Sequence, residues 1–347
     1  MAYDNHDLPD LTAPRPELAR PPRRPGVKHL SVALQGGGSH GAFTWGVMDR
    51  LMSDRRIYID GISGTSAGAI NGVVFADGFL KRQRQGAIDA LAQFWREISE
   101  KSFRSAIDPA TLSVMMDFIT RLYSPYELNP LNLNPLRDVL VDMVDFEGLR
   151  ARPDVKLFVT ASNVRTCKPR VFRTPEMRVD MLLASACLPL LFQAVEVDGE
   201  YYWDGGFLGN PAIYPLIHEC YSNDVVIIQI NPMNRPDVPT TSREILNRMN
   251  EMSFNSSLVR EMRGVATISR LVERGALQKT GYETVRFHMI DAELDLAKLG
   301  ALSKFNTHWP FLKDLHDLGF ETADKWLSDN FERLGVENTM DVFETFM

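Results

Sequence analysis

In the first part of the chain, short apolar runs ending at glycine alternate with longer stretches that are apolar on one face only. Residues 29–35 (HLSVALQ) read as a buried strand and residues 42–53 as a helix. Residues 57–63 (IYIDGIS) read as a second strand, and residues 67–80 as a second helix with small residues at its start. Strand, glycine turn, helix, repeated, is the grammar of a parallel sheet covered by helices. Residues 87–98 continue as helix. Residues 102–135 are irregular and rich in proline, leucine and aromatics, which fits either a lid or acyl-binding wall, or an ordinary core-capping segment.

Residues 136–144 read as a helix and residues 156–163 (KLFVTASN) as a strand, with residues 171–173 extending the sheet edge. Residues 178–186 form a helix that stops before Pro189. Residues 194–203 read as a hairpin turning at Asp198-Gly199 and delivering Asp204-Gly205-Gly206. Residues 224–230 are a further buried strand. After Pro239, residues 242–278 are mostly helical. Met249, Met252, Phe254, Leu258, Met262, Ile268 and Leu271 stand near helical spacing, which predicts a core-facing stripe. Residues 282–290 alternate like a strand, and residues 311–334 read as a closing helix. The expected architecture is a three-layer α/β sandwich with a mostly parallel central sheet. Its expected parts are a disordered tail (1–27), a catalytic domain (28–235) and a mostly helical C-terminal extension with one added strand (236–347).

Composition narrows the function classes. A net charge of -7 over 347 residues argues against general nucleic-acid binding. Cys167, Cys187 and Cys220 form no C-x-x-C and cannot all pair, which suggests a reducing compartment and no structural metal. The tail lacks an apolar signal core, and no apolar run reaches the roughly 18–20 residues that span a bilayer. The expected location is cytoplasmic or peripheral to a membrane or lipid granule, with Arg20, Arg23 and Arg24 available to touch anionic lipid. The sequence leaves the oligomeric state open.

The chemistry concentrates in glycine-flanked segments. Gly64-Thr65-Ser66-Ala67-Gly68 has the G-x-S-x-G spacing of a nucleophile elbow, a sharp strand-to-helix turn that exposes a serine hydroxyl. Gly36-Gly37-Gly38-Ser39-His40-Gly41 lets consecutive N–H groups turn toward one point, as an oxyanion requires. Serine needs a base within hydrogen-bond reach. Asp204, between a hairpin and two glycines, is free to point into a cavity; a late histidine such as His288 or His308 would instead complete a Ser-Asp-His triad of α/β-hydrolase type.

Three motifs in order resemble the patatin-like phospholipase family: its G-G-G-x-[RK]-G loop at Gly36–Gly41, its G-x-S-x-G elbow at Gly64–Gly68, and its D-G-[GA] aspartate at Asp204, Gly205 and Gly206. The run Ala184-Ser185-Ala186-Cys187-Leu188-Pro189 and Asn210-Pro211 fit too, and the likeness covers roughly residues 28–231. The resemblance implies a patatin-like fold and a serine acyl-ester hydrolase of lipids, without metal or cofactor. Ser66 would be the nucleophile and Asp204 the general base. Gly36, Gly37, Gly38 and Ser39, joined by Ala67, would hold the oxyanion, and the substrate would be a lipid or acyl ester at a membrane or lipid-particle surface. One residue departs from the pattern: His40 stands where the family carries arginine or lysine. The expectation is a ring at the site mouth that makes activity weaker or more pH-sensitive. A protein that binds lipid without turning it over is the alternative from another class.

Overall fold

The computed structural model describes residues 26–102, 124–152, 154–274 and 284–347. The expectations for the tail before residue 26, and for most of the lid segment, lie outside these residues. Eight strands form one sheet in the order β5-β6-β3-β2-β1-β7-β8, with β4 also paired to β3. They are β1 (Lys28–Leu34), β2 (Ile57–Thr65), β3 (Lys156–Asn163), β4 (Pro169–Arg173), β5 (Val195–Val197), β6 (Glu200–Asp204), β7 (Asp224–Gln229) and β8 (Arg286–Asp291). The five strands β3-β2-β1-β7-β8 run parallel, whereas β4 and β6 meet β3 antiparallel and β5 pairs antiparallel with β6. The sheet is therefore mixed but mostly parallel.

The helices that matter for the site are α1 (Gly41–Ser53), α2 (Ala67–Ser102), α3 (Pro135–Met143), α4 (Val179–Ser185), α5 (Tyr214–Glu219), α6 (Ser242–Glu273) and α7 (Trp309–Asn330). The two helices expected at 67–80 and 87–98 are one element bent at Arg82 and Gln83, where the backbone leaves helical geometry. Alternation along the strands creates the layers. Val32, Leu34, Val226 and Ile228 pack in one core with α1, α2 and α7. Ala33, Val225 and Ile227 point the other way, into a second core with Leu216 of α5 and Leu258 and Met262 of α6. Both cores are apolar, so the central strands read as nearly continuous hydrophobic runs.

The methionine stripe of α6 is only partly core. Leu258 and Met262 are fully buried, but Met249 and Met252 are each 60% exposed, and Ile268 and Leu271 are also exposed. At 1.5 Å per residue, a helix of 32 residues is about 48 Å long, and only its middle lies against the sheet. Past α6 the chain returns to the sheet as β8, in register with β7 from Asp224↔Arg286 to Gln229↔Asp291.

Candidate active site

Strand register brings Ser66 and Asp204 together. Thr65, the last residue of β2, lies opposite Thr160 on β3, and the next residue of β3, Ala161, lies opposite Asp204 on β6. The chain leaves β2 at Ser66, whose φ of 54° is left-handed, and α2 begins at the following residue. A non-glycine residue held in this region is the backbone signature of a strained elbow. Gly68 permits the turn, because a side chain there would collide with the Leu34 carbonyl at the end of β1. The Ser66 N–H donates to Ser185 Oγ at 2.9 Å, and that hydroxyl donates to the Thr160 carbonyl at 2.6 Å. Ser185 thus ties the elbow to β3, and Ser66 itself stays partly exposed.

Asp204 is fully buried. Its N–H donates to the Cys187 carbonyl at 2.8 Å, and its Oδ1 accepts from Gly206 N–H at 2.7 Å. The other oxygen, Oδ2, has no hydrogen-bond partner. Burial pushes the carboxyl up to about 6, against the opposing pull of the Gly206 N–H, the Ser66 hydroxyl and the Lys304 charge. The Ser66 hydroxyl is thus near enough to act on Asp204 without a well-formed hydrogen bond to Oδ2, a contact of the kind that tightens when substrate arrives. The raised value leaves Asp204 mostly ionised at neutral pH yet basic enough to accept a proton.

The glycine loop packs against the same elbow. Gly36 sits against Ser66 Cβ and the Thr65 carbonyl. Its N–H donates to Asn210 Oδ1 at 2.7 Å, which removes Gly36 from the expected oxyanion donors and makes it a support of the loop. The N–H groups of Gly37, Gly38 and Ser39 make no hydrogen bond to another described residue. They stand at the start of the short 3-10 turn Gly38–His40 that runs into α1, where helix N–H groups lack partners and the local field favours negative charge. Gly38 has φ +59° and an outward-facing surface, and a side chain there would strike the Lys304 carbonyl.

Buried amides hold the loop in place. Gln35 Oε1 accepts from the N–H groups of Ile230 and Asn231, each at 3.0 Å, while its Nε2 donates to Asn255 Oδ1 at 3.1 Å. Asn231 Nδ2 donates to the Gly36 carbonyl at 2.8 Å, and Asn231 Oδ1 accepts from Lys304 Nζ at 2.7 Å. Asn210 Nδ2 donates to the Phe254 carbonyl at 3.1 Å. Motif spacing singles out none of Gln35, Asn231, Asn255 and Lys304. Ser185 and Asn210 carry a sequence signal through the small-residue run and the Asn-Pro step.

His40 differs from its expectation. Its ring is buried, at 3% exposure, with Nε2 2.7 Å from Ser303 Oγ. Ser303 spends its only hydroxyl proton on the Gly300 carbonyl at 2.6 Å, so it accepts from His40, and the proton of the neutral imidazole sits on Nε2. Burial and the nearby Lys304 charge push His40 down to about 3. The ring is therefore neutral throughout the physiological range, and the expected pH sensitivity of a titrating His40 does not arise from it.

No late histidine reaches the serine. His288 Nε2 is bonded to Asp224 Oδ1 at 3.1 Å and its Nδ1 to Thr339 Oγ1 at 3.0 Å, at the opposite end of β7 from the elbow. Neither the hydrogen-bond partners of Asp204 nor the charges that act on it include a histidine, His308 among them. Asp204, not His288, is the titratable group on which the Ser66 hydroxyl acts.

The patatin-like phospholipase family model matches residues 32–217, more than half of the chain. The protein belongs to the patatin-like phospholipase family. Members of this family are lipid acyl hydrolases, and the matched segment contains both Ser66 and Asp204. The crystal structure of VipD from Legionella pneumophila is similar, with a TM-score of 0.44 at 14% identity, covering 88% of this chain and 67% of that one. No curated protein sequence matches the chain. Among the described residues, no helix is long and apolar enough to cross a membrane.

Proposed function

We propose that this patatin-like protein is a serine carboxylic-ester hydrolase of lipids that works through a Ser66–Asp204 dyad. The observation that carries the reading is the unpartnered Oδ2 of a buried Asp204 facing a serine on a left-handed elbow, beside three unengaged loop N–H groups. Ser66 Oγ forms a bond to the ester carbonyl carbon as its proton passes to Asp204 Oδ2. The carbonyl oxygen, now negative, is held by the N–H groups of Gly37, Gly38 and Ser39, each such donor contributing about 3 kcal/mol to lowering the barrier. The tetrahedral species then breaks its bond to the alcohol or lysolipid oxygen, which leaves with the proton from Asp204. A water that gives its proton to Asp204 attacks the acyl-serine, and collapse frees the fatty acid and restores the Ser66 hydroxyl.

An exposed aromatic beside the site supports a lipid substrate met at a surface. Phe207, three residues past Asp204, is 37% exposed. Phe207 packs on Phe254 at 5.7 Å between ring centroids. These side chains suit an acyl chain entering from a membrane or lipid particle.

The test is hydrolysis of a short-chain chromogenic ester and of a phospholipid panel by the wild type, Ser66→Ala and Asp204→Asn, alongside labelling by a serine-reactive phosphonate. The expected result is that both variants lose at least a thousandfold while folding normally, and that only Ser66 is labelled. Hydrolysis that survives Ser66→Ala would refute the reading. A wild type that neither hydrolyses any ester nor reacts with the phosphonate would favour a lipid-binding protein.

A further inference from the structure

The family motif places a cation after the glycine run, and here that position carries a buried, neutral histidine. A cation nonetheless stands at the loop, brought by the C-terminal part of the chain. Lys304 lies in the 3-10 turn Ala301–Phe305. Its carbonyl abuts Gly38, and its Nζ donates to Asn231 Oδ1 at 2.7 Å and to no other described residue. The same Asn231 holds the Gly36 carbonyl. The ammonium also lies 5.4 Å from the ring centre of Phe254, whose edge covers Gly206, the residue that donates to Asp204. His40 fixes this turn through Ser303, the residue before Lys304. The loop residue that gives up the charge therefore latches in the segment that supplies one.

We propose that Lys304 is a positioning residue of the site: its ammonium keeps Asp204 ionised as a base and sets a positive potential at the Gly37–Ser39 N–H groups, where negative charge develops. The inference rests on the dyad reading above. Four charged or titratable groups face this ammonium. They are Asp204 at the end of β6, Glu251 on α6, Arg235 in the segment after β7, and neutral His40 before α1. Glu251 acts most strongly on this ammonium and Asp204 next; Glu251 is itself paired to Arg235 and, at 3.1 Å, to Arg248, whereas among the described residues Lys304 is the one cation whose charge acts on Asp204. Lys304 is half-buried, and loss of hydration is the main cause that pulls it down to about 8. A partly dehydrated charge acts more strongly on what is near it than one in open water.

The experiment compares the wild type with Lys304→Met and Lys304→Arg, reading kcat and KM for a neutral chromogenic ester from pH 5 to pH 10. The wild type is expected to show an acid limb near 6, set by Asp204, and an alkaline limb near 8, set by Lys304. Lys304→Met should lower kcat about 10- to 100-fold with little change in KM, and should move the acid limb up by about half a unit to one unit. Lys304→Arg should keep most of kcat and lose the alkaline limb, since arginine stays charged. A merely structural lysine would lower activity and leave both limbs in place; that result, or an alkaline limb retained in Lys304→Arg, would overturn the proposal. A readout independent of turnover separates this from failure of the dyad. Urea unfolding of Asp204→Asn, Lys304→Met and the double variant at pH 7 should show the two sites coupled. Absence of coupling overturns the Lys304 proposal whatever the activity, whereas coupling in a protein whose Ser66 is inert overturns only the dyad.

Discussion

Replacing Asp204 by asparagine should stabilise the protein at neutral pH while abolishing its chemistry. Asp204 is fully buried and its pKa rises from 3.8 to about 6, so the native state binds the proton more tightly than the unfolded chain does. The sign follows from linkage. Below 3.8 both states are protonated and nothing is lost. As pH rises toward 6 the unfolded carboxyl ionises first, and native stability falls; above 6 the loss is constant. With these two values the loss is about 1.5 kcal/mol at pH 5 and about 3 kcal/mol at pH 7. Asparagine keeps an oxygen to accept from Gly206 N–H and never ionises, so it escapes the loss. Lys304, left without one of its counter-charges, takes back part of the gain. The stability difference between Asp204→Asn and wild type should therefore grow by about 1 kcal/mol from pH 5 to pH 7, in favour of the variant. Urea unfolding at the two pH values reads this directly, and the other buried carboxyls, Glu261 among them, cancel because both proteins carry them. A difference that does not change with pH, or one that shrinks as pH rises, would show that the contacts to Asp204 outweigh its burial. The carboxylate would then be too weak a base for the proposed role.

Three further substitutions separate the parts of the site. Gly38→Ala should cut kcat at least tenfold, since alanine must adopt φ +59° at a cost of about 1 kcal/mol and its methyl displaces the Lys304 carbonyl; unchanged kinetics would remove Gly38 from the oxyanion loop. Ser185→Ala strands the Ser66 N–H and should cost about 1–3 kcal/mol in stability together with a loss of roughly tenfold in phosphonate labelling rate; thermal melts and labelling kinetics check the two halves. His288→Ala removes a partner of both Asp224 and Thr339 and should destabilise by about 2 kcal/mol or more, while activity per folded molecule, measured by active-site titration, stays at the wild-type level.

What the sequence made legible is what the local backbone demands. The elbow at Ser66, the glycines around it and the Asp198-Gly199 hairpin that presents Asp204 each need particular residue types at fixed spacing, and the structure places them as that spacing requires. The strands around them were legible because both faces are buried. The residues that hold the loop were not, because each acts across a long separation in sequence. Lys304 meets Asn231 from 73 residues away and Asn255 meets Gln35 from 220, and a single amide or lysine has no periodicity to betray it. The exposed ends of α6 depart from the expected core stripe for a related reason: helical spacing marks a stripe, but only tertiary packing decides how much of it is covered.

His40 brings local pattern and tertiary setting into direct conflict. Read locally, it is the family's loop cation weakened to a titratable ring, so restoring arginine should restore function. In the fold, position 40 is dry, its ring reaches Ser303, and a half-buried cation, Lys304, already stands one residue beyond Ser303. An arginine at position 40 would lose the Ser303 contact or carry its charge into the neighbourhood of Lys304. Two cations placed this close in a partly dehydrated site repel, and Lys304 is the one that can give up its proton. His40→Arg should therefore lower both stability and kcat, and move the alkaline limb of the pH profile below 8. Urea unfolding and the pH dependence of ester hydrolysis test this together. A His40→Arg variant as stable and as active as the wild type, with its alkaline limb unmoved, would mean that the loop has room for its own cation and that Lys304 does not supply it.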